Sequence, residues 1–258
     1  MPLNKPVEDW KSQRVWVIGA SSGIGRAFAQ ALILRGAKVA VTARSRQALS
    51  DLAASAPGRT LALAADVTRA EELASAYSAI KAEWGGVDLA VFVAGTHRPI
   101  RAWELRLDDA KDLFEVNVYG VLAGLCVVLP DFVARGSGAV AIVSSVAGYR
   151  GLPTGLIYGA TKAALINLTE TLYLDLAPKG VGVHLVNPGF VRTPLTDRNE
   201  FKMPALIPAE EAAEQMLRGL ERGEFEVHFP RRFTGVMKLL RILPYRLYFP
   251  LVRRFTGL

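Results

Sequence analysis

Seven short apolar runs recur along the chain, at residues 15–18, 38–42, 61–65, 89–93, 139–143, 181–186 and 226–229. Most are rich in Val, Ile, Leu or Ala and lie between turn signals, the pattern of strands buried on both faces of a parallel sheet. Longer stretches with helical spacing separate them, at 24–35, 71–84, 108–133 and 156–176. Strand and helix in alternation predict a parallel sheet with helices on both faces. Right-handed crossovers then favour a doubly wound, Rossmann-type α/β arrangement. No repeat, linker or boundary interrupts the pattern before about residue 230, so residues 12–230 read as one domain and 231–258 as a tail.

Composition narrows the class. Of the 258 residues, 51% are hydrophobic and 21% charged, which indicates a folded chain rather than a disordered one. Cys126 is the only cysteine, so an intramolecular disulfide and a paired-cysteine zinc site are both excluded. His97, His184 and His228 lie in separate segments without metal-ligand spacing, and no metal site is expected. His184, inside a predicted strand, reads as structural, and Cys126, inside an apolar helix, as a small core residue. Residues 1–11 carry Glu8 and Asp9 and do not resemble a signal peptide. The longest uncharged run, 116–130, is too short to cross a bilayer and reads as a buried helix. A cytoplasmic location is the default expectation. The net charge of +7 belongs to the tail, which holds Arg231, Arg232, Lys238, Arg241, Arg246, Arg253 and Arg254 and no acid. The first 230 residues balance at 24 basic against 24 acidic.

Three groups of residues carry chemistry. The first strand ends in Gly19-Ala20-Ser21-Ser22-Gly23-Ile24-Gly25 and runs into an apolar helix. Glycines allow a tight turn and close approach of backbone to ligand, and the helix start offers free N–H groups to a phosphate. The second strand ends in Ala43-Arg44-Ser45-Arg46. Ala43 stands where an acid about 20 residues after the glycines would bind the adenosine ribose of NAD. Arg44 follows with no carboxylate to compete with, which favours the 2′-phosphate of NADP(H). Tyr158 and Lys162 share one helix face, and Ser145 ends a strand 13 residues before Tyr158. An ammonium beside a phenol is expected to lower its pKa toward the working range, and a serine there can hydrogen-bond a carbonyl oxygen.

Taken together, Gly19–Gly25, Ser145, Tyr158 and Lys162 resemble the short-chain dehydrogenase/reductase family over roughly residues 12–230. The resemblance implies seven parallel strands, a dinucleotide-binding catalytic domain and no need for a metal. It assigns Asp66 and Val67 to the adenine and Asn117 to a water-mediated proton path. It places Ala94, Gly95, Pro188, Gly189, Val191 and Thr193 against the cofactor, the last two on the nicotinamide carboxamide. It also implies a homodimer or homotetramer built on the 108–133 and 156–176 helices. Two departures stand out. Ile18 replaces the family's threonine before the first glycine, and Phe92-Val93 replace its Asn-Asn pair. Both exchange polar for apolar residues on strands expected to be neighbours, which suggests that one packing solution replaced another.

The expected reaction is hydride transfer between a nicotinamide and a carbonyl or secondary alcohol carbon. Tyr158 is the acid/base, Ser145 orients the oxygen, Lys162 tunes the phenol and binds the ribose, and Asn117 supports the proton relay. The segment after Thr193 carries Leu195, Phe201, Met203, Leu206 and Ile207, which favours an apolar, lipid-like substrate. A non-catalytic NADPH-binding redox sensor is the rival reading, though it has no use for a complete proton relay. A nucleic-acid binder lacks any recognition motif. Two readings of the tail stay open: packing on the domain or a partner subunit, or peripheral contact with an anionic membrane at its inner face. Pro244 and Pro250 are expected to divide it into short helices.

Overall fold

The computed structural model describes residues 1–198 and 203–256. The elements run β1 (Arg14–Ile18), α1 (Gly23–Leu34), β2 (Lys38–Ala43), α2 (Arg46–Ala54), β3 (Thr60–Ala64), α3 (Ala70–Trp84) and β4 (Leu89–Phe92). They continue with α4 (Leu107–Phe114), α5 (Gly120–Arg135), β5 (Ala139–Val143), α6 (Leu156–Leu176), β6 (Gly182–Pro188), α7 (Ala209–Glu221), β7 (Glu226–Phe229), α8 (Arg231–Ile242) and α9 (Tyr245–Thr256). The strands form one seven-stranded sheet in the order β3-β2-β1-β4-β5-β6-β7, every neighbouring pair parallel. The order reverses between β1 and β4, and the loops after these strands diverge there to opposite sides of the sheet, leaving the crevice in which such folds bind ligands.

Alternation along each strand sends successive side chains to opposite faces. Val15, Val17, Val39 and Val41 face a core closed by α1, α2 and α7. Trp16, Ile18, Ala40 and Phe92 face the other, closed by α3, α5 and α6. Ile18 pairs in register with Phe92, and the Phe92 ring lies against Gly124 of α5. Ile18 and Phe92 therefore meet in one packed layer, while Val93 packs against the opposite core.

Three features differ from the sequence reading. The stretch 108–133 is one long helical unit, Leu107–Arg135, broken by a π-helical segment at Glu115–Tyr119. It is long and apolar enough to cross a membrane, yet its Val121, Leu125, Val128 and Phe132 are buried in the core. Cys126 is exposed, because that buried stripe recurs every three or four residues and Cys126 sits about 100° away from Leu125. In the tail, Pro244 separates α8 from α9 as expected, but Pro250 lies inside α9. Pro250 is exposed, so the Arg246 carbonyl that loses its helical partner can still be hydrated. His184 is buried in β6, where its Nδ1 meets the Glu224 carbonyl at 2.7 Å, and burial brings its pKa down to about 4. It is a neutral structural residue.

Candidate active site

All of the chemistry-bearing segments leave the same edge of the sheet, the carboxyl ends of the strands. On one side, β1 opens into the glycine turn. Gly19 adopts φ +103°, and a Cβ there would stand 2.4 Å from the Ala94 nitrogen. A Cβ on Gly25 would stand 2.1 Å from the Gly19 carbonyl oxygen. The turn is thus closed against both β4 and its own helix, and only glycine fits. Ser22 precedes α1 without capping it, and the first turn of α1 holds no acid. Its leading N–H groups remain available to an anion. Gly23 lies beside the Thr193 side chain, which brings the segment after β6 over the turn.

Ala43 ends β2 in the core, and Arg44 is exposed just beyond it. Here the sequence expectation needs correction. A carboxylate does lie within electrostatic reach, namely Asp66 after β3. Burial alone would raise its pKa, but hydrogen bonds from the Thr68 N–H (3.0 Å) and hydroxyl (2.9 Å), helped by the Arg44 and Arg69 charges, hold it below the usual carboxylate range. Val67 packs on the neighbouring core against Gly120 of α5.

The other side of the crevice is buried and polar. Ser145 follows β5, and Tyr158 and Lys162 lie on the first turns of α6. The Lys162 ammonium donates to the Val143 carbonyl at 3.0 Å and sits 5.7 Å from the centre of the Tyr158 ring. The Ser145 hydroxyl oxygen accepts from the Ala147 N–H at 3.1 Å, which leaves its proton free to bond the Tyr158 hydroxyl. Ser144 donates to the Lys162 carbonyl at 2.7 Å and ties the end of β5 to α6.

The pKa shifts run against the simple expectation. Burial raises the Tyr158 phenol, and the hydrogen bond from Ser145 pulls it partly back. Burial weakens Lys162 as well, bringing its pKa down to about 8. Desolvation outweighs mutual attraction because both groups are enclosed. The result is a neutral phenol beside an ammonium that is still mostly charged at pH 7.

Asn117 is fully buried in the π-helical segment. Its Oδ1 accepts from the Thr96 N–H at 2.7 Å, and its Nδ2 donates to the Thr96 carbonyl at 3.0 Å and the Thr161 hydroxyl at 3.1 Å. Thr161 in turn donates to the Tyr158 carbonyl at 2.7 Å. Asn117 therefore locks the strand-four loop to the start of α6, with Gly95 beside both Asn117 and Lys162. Insertions of this π type are frequent at functional sites. Beyond β6, Gly189 donates to the Phe229 carbonyl at 2.7 Å, and Val191 pairs with Ile207.

Two parts of the site were not foreseen. His97, two residues past Gly95, stands edge-on to the Tyr158 ring with centroids 4.5 Å apart. Only its closeness to Gly95 in the chain could have signalled it. Ile207 was expected over the substrate, but it is buried in the core through its pairing with Val191. Leu195, Met203 and Leu206 are half-buried, and Phe201 lies outside the described residues.

A profile of short chain dehydrogenases matches residues 13–203. The chain belongs to the short-chain dehydrogenase/reductase family. It is 39% identical over 241 residues to an uncharacterised oxidoreductase of Myxococcus xanthus, covering 92% of this chain and 95% of that protein. It is 32% identical over 212 residues to carbonyl reductase family member 4 of Xenopus laevis, covering 80% and 89%. A solved short-chain dehydrogenase of Sphingobium yanoikuyae in complex with NADPH superposes with a TM-score of 0.77 at 28% identity, covering 90% of this chain and 97% of that one. As a member of this family the chain is an oxidoreductase that binds NAD(P)(H).

Proposed function

We propose that this oxidoreductase uses NADP(H) to interconvert a carbonyl and a secondary alcohol on an apolar substrate. The convergence of Ser145 and Lys162 on the half-buried Tyr158 carries the reading. Arg44 after Ala43 supports the choice of NADP(H), as does the likeness to a dehydrogenase in complex with NADPH. The residues present suit such a group: an uncapped helix start for the pyrophosphate, a guanidinium for the 2′-phosphate and a buried ammonium at the ribose end. In this reading Gly19, Ser21, Ser22, Gly23, Ile24, Gly25, Arg44, Asp66, Val67, Ala94 and Gly95 hold the dinucleotide. Pro188, Gly189, Val191 and Thr193 complete its nicotinamide end. When bound, the nicotinamide supplies or accepts the hydride.

The chain's own groups handle the proton. Because burial keeps Tyr158 neutral, its Oη holds a proton that can pass to a carbonyl oxygen during reduction. Ser145, with its own oxygen engaged by Ala147, donates to the same oxygen and orients it. The Lys162 charge stabilises the phenolate left behind. Asn117 and Thr161 hold the first turn of α6 so that these distances persist. Half-buried Leu195, Met203 and Leu206 support an apolar substrate. Exposed Tyr119, Val133, Leu156 and Leu174, at or near the outer faces of α5 and α6, support a homo-oligomer through these helices. Turnover of NADPH and NADH with ketones and aldehydes of graded chain length tests the reading. A rise in kcat/KM with chain length and a preference for NADPH are expected. Tight NADPH binding without turnover of any carbonyl would favour the redox-sensor reading instead.

A further inference from the structure

The tail is fixed to the domain on one side and bare on the other. Arg150, between Ser145 and Tyr158, donates to the carbonyls of Leu240 (2.9 Å), Arg241 (3.2 Å) and Leu243 at the end of α8. Its guanidinium also lies over the rings of Tyr248 (4.0 Å) and Tyr245 (4.6 Å) of α9. Tyr248 is buried and donates to the Gly151 carbonyl at 2.7 Å. Met237, Phe233 and Leu240 of α8 pack on Val146, Tyr149 and Leu152 in a small core of their own. The tail is therefore held at a defined angle, against the segment that joins Ser145 to Tyr158.

The opposite sides of both helices are open. At 100° per residue, Arg232, Val236, Leu239 and Ile242 fall on one side of α8, and Arg246, Phe249 and Arg253 on one side of α9. All seven are exposed. Seven of the 17 exposed large apolar side chains among the described residues lie between 236 and 255. The charges divide in the same way. Arg231, Lys238 and Arg241 have acidic partners in Glu224, Glu226 and Glu170. Among the described residues, Arg232, Arg246, Arg253 and Arg254 form no ion pair, and residues 231–258 contain no acid to neutralise them.

We propose that this outer face of α8 and α9 docks on an anionic lipid bilayer. A two-fold contact between copies would set the same unneutralised arginines against each other. Nucleic acid would satisfy the arginines but leave the aliphatic and aromatic side chains in water. An anionic membrane accepts both, with apolar and aromatic groups at the acyl boundary and guanidinium groups on headgroup phosphates. Docking in this way brings the segment between Ser145 and Tyr158 close to the lipid surface.

Co-sedimentation of the full-length protein with vesicles decides the matter, comparing pure phosphatidylcholine with phosphatidylcholine containing phosphatidylglycerol. Binding is expected only to the anionic vesicles, weakening as salt rises. A variant carrying Arg232→Gln, Arg246→Gln, Arg253→Gln and Arg254→Gln should keep the wild-type melting temperature and lose about a hundredfold or more in vesicle affinity. Leu239→Ser with Phe249→Ser should lose about tenfold or more. The proposal fails if the wild type ignores anionic vesicles at low salt, or if the arginine variant binds them as tightly as wild type. It also fails if duplex DNA outcompetes the vesicles at equal salt. Release of an oligomer by Leu239→Ser with Phe249→Ser, without vesicle binding by the wild type, would assign the face to a second copy and overturn the proposal.

Discussion

The two halves of the sheet present opposite kinds of polar surface at the same edge. At β3, β2 and β1 the working groups face outward: the uncapped start of α1, exposed Ser22 and exposed Arg44. At β4, β5 and β6 they are enclosed: Asn117, Ser144, Ser145, Thr161 and Lys162 are all buried. The outward half relies on backbone geometry and on a charge that water already stabilises. The enclosed half carries a cation that donates to the Val143 carbonyl and, among the described residues, forms no ion pair, and burial without a counter-charge is costly. Such cost, concentrated in a cleft, marks groups kept for their reactivity. Loss of a group in the outward half should therefore weaken binding by degrees, whereas loss in the enclosed half should abolish a step.

The sharpest test of that contrast is Tyr158→Phe. Removing the phenolic proton while keeping the ring should cut kcat by about 10²–10⁴-fold, with NADPH affinity nearly unchanged, as read by steady-state kinetics and fluorescence titration. Near-normal turnover would erase the distinction between the halves. Next comes Arg44→Ala, which should weaken NADPH binding by about 1.5–3 kcal/mol and NADH binding far less. Equal losses for both cofactors in calorimetric titrations would show that the outward half does not read the 2′-phosphate.

A smaller, graded effect is expected from pH. Lys162 is protonated below its depressed pKa of about 8 and neutral above it, so its support for the phenolate is present at pH 7 and fades as pH rises past 8. Carbonyl reduction at saturating cofactor should fall by up to about tenfold per pH unit beyond that point. A flat profile between pH 7 and 9.5 would contradict this role. Smallest is Arg150→Gln, which removes the cap on α8 and the cation over two tyrosine rings. A loss of about 1–2 kcal/mol in denaturant-melt stability, with faster proteolysis in the tail, is expected. Unchanged stability and proteolysis would mean that the apolar contacts of Met237 and Phe233 suffice to hold the tail.

Much of the outward half was legible in the sequence, because its function lies in local chemistry. Glycines at fixed spacing after an apolar run specify a turn and a helix start whatever surrounds them, and Ala43-Arg44 follows directly from the end of a strand. The spacing of Tyr158 and Lys162 on α6 was equally local, as was the alternation that predicts the sheet. Helices α2 and α7 escaped notice, since each is a short amphipathic stretch that needs the neighbouring face to declare its burial.

The sequence by itself determined the strand–helix alternation, the glycine turn and the spacing of Tyr158 and Lys162, since periodicity and steric permission act between near neighbours. Only the tertiary structure decided the protonation balance of Tyr158 and Lys162, because burial is a property of everything packed around a group. It also decided that Asp66 shares the field of Arg44, that His97 meets Tyr158 and that Cys126 faces outward. Residues far apart in the chain set all of these. Arg150 shows the difference most plainly: an unremarkable charge in the sequence, it joins the tail to the segment between Ser145 and Tyr158 because folding brings three carbonyls and two aromatic rings to one guanidinium.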